Sequence, residues 1–328
     1  MTCYLETGAT DPRWNLAFEE YVLKNKREGD WLILWQNRSA VIVGRNQNAL
    51  EEINREFVDA HGIDVVRRNT GGGAVYHDLG NLNYSFITDA AESLWGADKR
   101  FAAPVVRALR ELGLDAESSG RNDILVSGQK VSGTAQCRSG GRILHHGTLL
   151  FDSDPDMIGG SLNPDPTKFQ SKSVKSVRSR VGNIRAFLQQ DMTLGEFWDY
   201  LKGALVEDGI VPVRLPPEEL VQVAALKAEK YDTWQWNFGA SPKYDRVLRH
   251  RYPGGLLEIH LTVKAGRIEG IRIFGDFLAL QPVDALEKAM TGCVYRREAL
   301  EAALEQVSVA DCLGTVTAQQ LLDTVLDT

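Results

Sequence analysis

Cysteine is scarce in this chain of 328 residues: Cys3, Cys137, Cys293 and Cys312 stand far apart, with no Cys-x-x-Cys pair. That argues against a disulfide framework and zinc-site spacing, and the plain reading is a reduced, cytoplasmic protein. An excess of basic charge is also missing. Lys and Arg number 37 against 44 Asp and Glu, for a net charge of -7. A dedicated nucleic-acid binder is usually basic, so no nucleic-acid partner is expected. No apolar window approaches the length of a membrane span. Met1 to Gly8 has neither a basic start nor a long apolar run, so no signal peptide is expected. Internal repeats and low-complexity tracts are absent. Two phosphate-loop patterns are absent too. There is no Gly-x-x-x-x-Gly-Lys-Ser/Thr, and Tyr76 stands where Gly71 and Gly73 would need a third glycine for Gly-x-Gly-x-x-Gly.

What is present is ordinary globular composition, 43% hydrophobic and 25% charged. Asp11-Pro12 reads as the start of a helix carrying Leu16, Phe18, Tyr21, Val22 and Leu23 and ending near Gly29. Trp31 to Trp35 and Ala40 to Gly44 are expected to form a hairpin about Gln36-Asn37-Arg38-Ser39. An amphipathic segment from Leu50 to His61 stops at Gly62, and Ile63 to Val66 reads as a strand. Leu82, Tyr84 and Phe86 alternate with Asn83 and Ser85, a strand with one apolar face. Helices are expected over Asp98 to Leu112, Thr193 to Val206 and Glu218 to Lys230. Trp234 to Pro242 breaks the periodicity. A boundary just after it divides a larger unit, 1–243, from a small α+β unit, 244–328. The latter opens on a hairpin, Leu256 to Val263 with Ile268 to Phe274. Helices follow near Pro282 to Met290, Arg296 to Val307 and Thr317 to Leu326.

Two stretches carry chemistry. In the first, Arg67-Arg68-Asn69-Thr70-Gly71-Gly72-Gly73-Ala74-Val75-Tyr76-His77, three glycines follow two arginines. Such a loop can lie flat against a ligand, and the arginines suit a phosphate or carboxylate or serve as rim charges. In the second, Ser127-Gly128 turns between two strand-like runs, 120–126 and 129–136. Period-two alternation places Lys130, Ser132, Thr134 and Gln136 on one face, with Asp123 across the hairpin. Lys130 there is either a solvated lysine or a fixed cation that polarises a carboxyl or phosphoryl oxygen. Asp123 could pair with it or hold Mg²⁺ together with substrate phosphates. His77, His145 and His146 fit no zinc signature and read as hydrogen-bonded structural histidines. Cys137 reads as an inert thiol. From Lys168 to Arg185 runs a basic segment without an acidic residue, read as a loop that meets anionic ligand groups or as a solvated face.

The motifs occur in order: 67–81, Arg121-Asn122-Asp123, Gln129 to Ala135, His145 to Leu150, Leu162 to Asp165, Ser176 to Val181 and Trp236 to Gly239. Together they resemble the lipoate-protein ligase A family, over almost the whole chain. The resemblance implies an α+β fold: a catalytic domain of the biotin/lipoate-ligase type, with a mixed β-sheet and flanking helices, plus a small C-terminal domain. It implies a ligase that converts lipoate and ATP to lipoyl-AMP and pyrophosphate. The enzyme then transfers the lipoyl group to one lysine of an apo lipoyl domain. Acceptors would be the acyltransferase subunits of 2-oxoacid dehydrogenases and the glycine-cleavage H protein. ATP and Mg²⁺ would be needed, with no tightly bound prosthetic group, no membrane partner, and a monomeric enzyme. Carried onto this chain, the resemblance makes Lys130 the catalytic lysine. Arg68, Thr70, Gly71, Gly72, Gly73, Ala74, Val75, Tyr76, His77, Asn122, Asp123 and His146 would hold the nucleotide and lipoyl adenylate, with Asp123 the Mg²⁺ ligand. Arg68 would stand at the pocket entrance, and the basic 168–185 segment would close over the adenylate. The alternative is an octanoyl- or lipoyl-transferase of the same superfamily, acting through a cysteine without ATP. Where that cysteine would stand, this chain has Asn163-Pro164-Asp165 or Ser118-Ser119.

Overall fold

The fold is described from a computed structural model covering residues 1–90, 97–119, 122–163, 181–238, 246–264 and 266–326. Fourteen strands form three sheets among these residues. They are β1 (Thr2–Glu6), β2 (Trp31–Trp35), β3 (Ala40–Val43), β4 (Asp64–Arg67), β5 (Val75–His77), β6 (Asn81–Asp89) and β7 (Ala116–Ser119). Then come β8 (Asp123–Val126), β9 (Gln129–Ser139), β10 (Arg142–Leu150), β11 (Ile210–Pro212), β12 (Arg246–Tyr252), β13 (Gly255–Lys264) and β14 (Arg267–Gly275). The main sheet runs β11-β1-β2-β6-β10-β9-β8-β7. It is mixed: β1 pairs parallel with β2 and β11, and the other neighbours are antiparallel. A small sheet, β4-β3-β5, carries the two ends of the glycine loop. The third sheet, β12-β13-β14, belongs to the C-terminal part.

Helices cover both faces of the main sheet. On one face, Phe101, Val105 and Leu109 of helix Ala97–Glu111 and Phe197 and Leu201 of helix Leu194–Ala204 pack on Leu82, Tyr84 and Val131. On the other, helix Pro12–Asn25 lays Leu16, Phe18 and Val22 on Ile33, Ile87 and Leu144. Asp11 caps that helix by accepting from Arg13 N–H, and Pro12 occupies its first turn, as its sequence predicts. Thr193 and Glu196 form a capping box on helix Leu194–Ala204. The C-terminal sheet has its own core with helices Asp284–Met290, Arg297–Leu304, Val309–Leu313 and Ala318–Leu326.

Several expectations need correction. Trp31–Trp35 and Ala40–Val43 do not pair: β2 lies in the main sheet and β3 in the small one. The linking Asn37 is fully buried and bridges Asn15 and His77, so the link crosses between layers instead of turning back. Helix Pro12–Asn25 ends before Gly29, which has a positive φ of 73° in the following turn. The 50–61 segment splits into helices Ala49–Glu52 and Arg55–Ala60, because Asn54 caps the second by accepting from Phe57 N–H. Both faces of β6 are buried, so its Asn83 and Ser85 are polar for the sake of the site and not for solvent. The C-terminal hairpin has a third strand, β12, whose charges hid its alternation. The expected boundary at 243 lies outside the described residues, as do residues 168–180 of the basic 168–185 segment.

Candidate active site

Between β5, β10, the β8–β9 hairpin and the C-terminal sheet lies a cavity of about 290 Å³. Leu16, Trp35 and Ile42 give it an apolar lining, and Gly73, Ala74, Val75 and His77 form its loop wall. Asn122, Asp123, Lys130 and the backbone about Gly133 form the hairpin wall. Lys130 Nζ lies 2.7 Å from Asp123 Oδ1, and the two side chains are about one-third exposed, 34% and 37%. The alternation expected along β9 is broken here. The pairing with β8 shifts register between Ile124 and Leu125, opposite one extra residue on β9. The Lys130 ammonium therefore lies over Gly133, 3.2 Å from where a Cβ would sit, while Ser132 is fully buried away from it. Asn122 is held beside them, with its Nδ2 donating to Thr134 O at 2.8 Å.

The two arginines are not rim charges. Arg67 and Arg68 are both buried. Arg67 donates to the carbonyls of Gly44, Arg45, Gln47, Trp236 and Asn237, which makes it a structural staple away from the cavity. Arg68 does line the cavity, from beneath the loop and not at its entrance. Its guanidinium donates to Thr70 Oγ1, Ile42 O, Gly71 O and Gly73 O, at 2.6 to 3.0 Å. Burial pulls both guanidinium pKa values down to about 10, which leaves them charged. Thr70 Oγ1 also meets His146 Nε2 at 2.8 Å, and His146 Nδ1 meets Glu19 Oε1 at 2.9 Å. A buried chain Arg68–Thr70–His146–Glu19 thus fixes the loop to β10 and the first helix.

The three glycines divide their work. Only Gly73 of the three lines the cavity, and a Cβ there would meet nothing within 4 Å. Gly71 is pressed against the C-terminal sheet: its Cβ would lie 2.7 Å from Phe277 O. Gly72 has a positive φ of 89° and donates its N–H to Phe277 O at 3.1 Å. The expectation that all three face a ligand is corrected by this contact, which sequence spacing could not reveal. Tyr76 is also turned away, into a cluster with Val41 and Val65, where its hydroxyl meets Ser39.

His77 lines the cavity in its neutral form. Asn15 Nδ2 donates to Ala9 O, Gln36 O and Asn37 Oδ1, so Asn37 presents its Nδ2 to His77 Nδ1 at 3.0 Å. The proton is then on His77 Nε2, which has no hydrogen-bond partner among the described residues. Burial first, then the Arg68 and His146 charges, hold its pKa down at about 3. His145 corrects the hydrogen-bonded expectation: its ring stacks on Phe101 at 4.8 Å, and neither nitrogen is hydrogen-bonded among the described residues. Cys137 is buried outside the cavity with its thiol pushed up to about 12, chiefly by desolvation. It is no nucleophile. Sequence reading missed Glu19, Trp35, Asn83, Arg251 and Asp276. Glu19 left a signal: it interrupts the apolar run Leu16 to Leu23, and a carboxylate there must find a partner.

The chain as a whole has counterparts among known proteins. A model described as the lipoyl protein ligase A/B catalytic domain matches residues 11–206, more than half of the chain. The chain belongs to the lipoate-protein ligase family. A second model, the bacterial lipoate protein ligase C-terminus, matches residues 241–325. Lipoate-protein ligase LplJ of Bacillus subtilis is 44% identical over 320 residues, covering 96% of this chain and 97% of that one. Among solved structures, LipL1 of P. falciparum in complex with lipoate superposes with a TM-score of 0.79 at 25% identity, covering 100% of this chain and 98% of that one. A lipoate-protein ligase A bound with ATP gives 0.64 at 30% identity, covering 73% and 98%. A bipartite lipoate protein ligase from Thermoplasma acidophilum, studied with its E2 lipoyl domain, gives 0.64 at 31%, covering 75% and 98%. As a lipoate-protein ligase, the chain is an enzyme that attaches lipoate to apo lipoyl domains through ATP-dependent activation.

Proposed function

We propose that both half-reactions take place at the Lys130–Asp123 wall of this cavity. The observation that carries the reading is the 2.7 Å ion pair on a wall facing apolar Leu16, Trp35 and Ile42. A ligand with a hydrocarbon body and a carboxylate head suits such a lining. In the first half-reaction a lipoate carboxylate oxygen attacks the α-phosphorus of ATP. A P–O bond forms, pyrophosphate leaves with the broken bond's electron pair, and lipoyl-AMP remains. Negative charge builds on the phosphoryl oxygens, and Lys130 is the fixed cation beside it. Arg68 does not reach out to the ligand; it holds Gly71 and Gly73 so that the backbone of Gly73, Ala74 and Val75 forms a firm wall. In the second half-reaction the neutral amine of an acceptor lysine attacks the acyl carbon, an amide forms, and AMP leaves while the amine loses a proton. Placement does most of that work.

Among the described residues no cluster of three or more His, Cys, Asp or Glu could hold a metal. Asp123 alone therefore suits Mg²⁺ only in the form in which phosphates and water supply the other ligands. Mg²⁺ bound so would neutralise phosphate charge. The acceptors proposed are the E2 subunits of 2-oxoacid dehydrogenases and the glycine-cleavage H protein. A monomeric enzyme is proposed. No described helix is long and apolar enough to cross a membrane, and all four cysteines are free, which supports a cytoplasmic site of action.

The test is incubation with lipoate, ATP, Mg²⁺ and an apo lipoyl domain, followed by mass spectrometry. The expected gain is one lipoyl group on one lysine, with equal pyrophosphate released. No gain on a competent acceptor sinks the reading. Gain that persists without ATP moves it to the transferase alternative, against the buried position of Cys137.

A further inference from the structure

A second cavity, of about 210 Å³, lies behind the glycine loop, at the seam between the larger part and the C-terminal part. It shares no lining residue with the catalytic cavity. Asn69 and Gly71 stand on its loop side, and Ala279 to Pro282 form its C-terminal wall. Its charge is one-sided. Lys24, Arg45 and Lys230 line it, and Glu20 is the one carboxylate among its lining residues. Arg138 lines it as well, with partners of its own. Glu20 is buried and already shared. Lys24 Nζ lies 2.7 Å from its Oε1, Lys230 Nζ lies 2.8 Å from its Oε2, and the Tyr231 hydroxyl donates to Oε2 at 2.7 Å. One carboxylate does not neutralise two ammonium groups and a guanidinium. Burial chiefly, with the Lys24 and Arg45 charges added, pulls the Lys230 ammonium below the ordinary lysine range despite Glu20.

Two neighbouring residues of this cavity carry donors with no acceptor. The Arg45 guanidinium makes no hydrogen bond among the described residues. It has a loose ion pair with exposed Asp284, at 3.5 Å, and lies 5.2 Å from the centre of the Trp236 ring. Asn46 is 6% exposed, and its Nδ2 is buried without a hydrogen-bond partner among the described residues. A buried amide in that state costs free energy until something accepts from it. The arginine fork and the amide offer N–H groups, and the two ammonium groups offer charge. A tetrahedral oxyanion answers both, because it has several acceptor oxygens and more than one negative charge. We propose that this cavity is a binding site for a small phosphate-type dianion, held by Arg45 and Asn46, with Lys24 and Lys230 supplying charge. The occupant touches the glycine loop on one side and the C-terminal wall on the other, and so ties the two parts together.

The experiment makes two measurements on the full-length protein. Crystals soaked in tungstate, a heavy analogue of phosphate, report where the anion sits. Calorimetric titration with inorganic phosphate reports binding in solution. Tungstate is expected between Arg45, Asn46 and Lys230. R45Q should weaken phosphate binding about ten- to a hundredfold, the scale of one charge-assisted contact. R45K recovers part of the loss, because it keeps the charge without the fork. K24Q alters a side chain that is 51% exposed and should weaken binding roughly threefold. Lys130→Ala, in the other cavity, should leave the affinity of this site unchanged. Three results overturn the proposal: no tungstate in this cavity, tungstate there with no phosphate binding in solution, or phosphate binding that R45Q and K24Q both spare.

Discussion

The two walls of the cavity are built on opposite plans. The loop wall is buried and held by the chain Arg68–Thr70–His146–Glu19. The hairpin wall is a partly exposed ion pair at the end of a bulged strand. A buried, hydrogen-bonded network is rigid, and removing one member strands the others. A partly exposed pair exchanges partners at little cost. The difference assigns shape to the first wall and charge handling to the second.

The sharpest way to break that contrast is Lys130→Ala. Pyrophosphate release should fall by a factor on the order of a hundred to a thousand, the scale of losing one preorganised charge donor. The melting temperature should hardly move. A large drop in melting temperature would show that the hairpin wall is structural after all. Arg68→Lys should act the other way. It removes the fork from four buried acceptors and should cost about 3 kcal/mol of stability in denaturant unfolding. An unchanged midpoint would put Arg68 on the charge-handling side. The remaining test of the contrast is pH. His77 and His145 titrate at about 3 in the folded chain, against 6.5 for an ordinary histidine, because of burial. The unfolded chain takes up protons that the folded one refuses. The contribution is full above pH 6.5 and is lost as pH falls toward 3. Denaturant midpoints between pH 7 and 5 would check the slope, and Lys130→Ala should leave that slope unchanged.

How much of this was legible depended on distance along the chain. The β8–β9 hairpin and the first helix were readable because Ser127-Gly128 and Asp11-Pro12 carry their own local signals. So was the pairing of Lys130 with Asp123, seven positions apart across one turn. The false hairpin at 31–44 shows the limit: two apolar runs with a polar link look alike whether they pair or part. The destination of Gly71 was invisible, since Phe277 lies some two hundred positions away and contributes only a carbonyl. Arg251 was hidden for the same reason, in a strand whose charges mask its period.

The seam between the two parts has a character of its own. Asn46 O takes Gly275 N–H, Phe277 O takes Gly72 N–H, and Leu280 O takes Arg138 N–H. These fastenings are main chain to main chain, and every residue except proline can supply a main-chain N–H. Side chains along the seam can therefore drift over generations while the docking survives. Most single replacements at Asn46 or Arg138 leave the amide or carbonyl in place. The exceptions are proline at a donor and any side chain at Gly71 or Gly275, where a Cβ would lie 2.7 Å from Phe277 O and 2.1 Å from Leu256 O. The contact is heritable as geometry, and a comparison of residue identities along the seam would undervalue it.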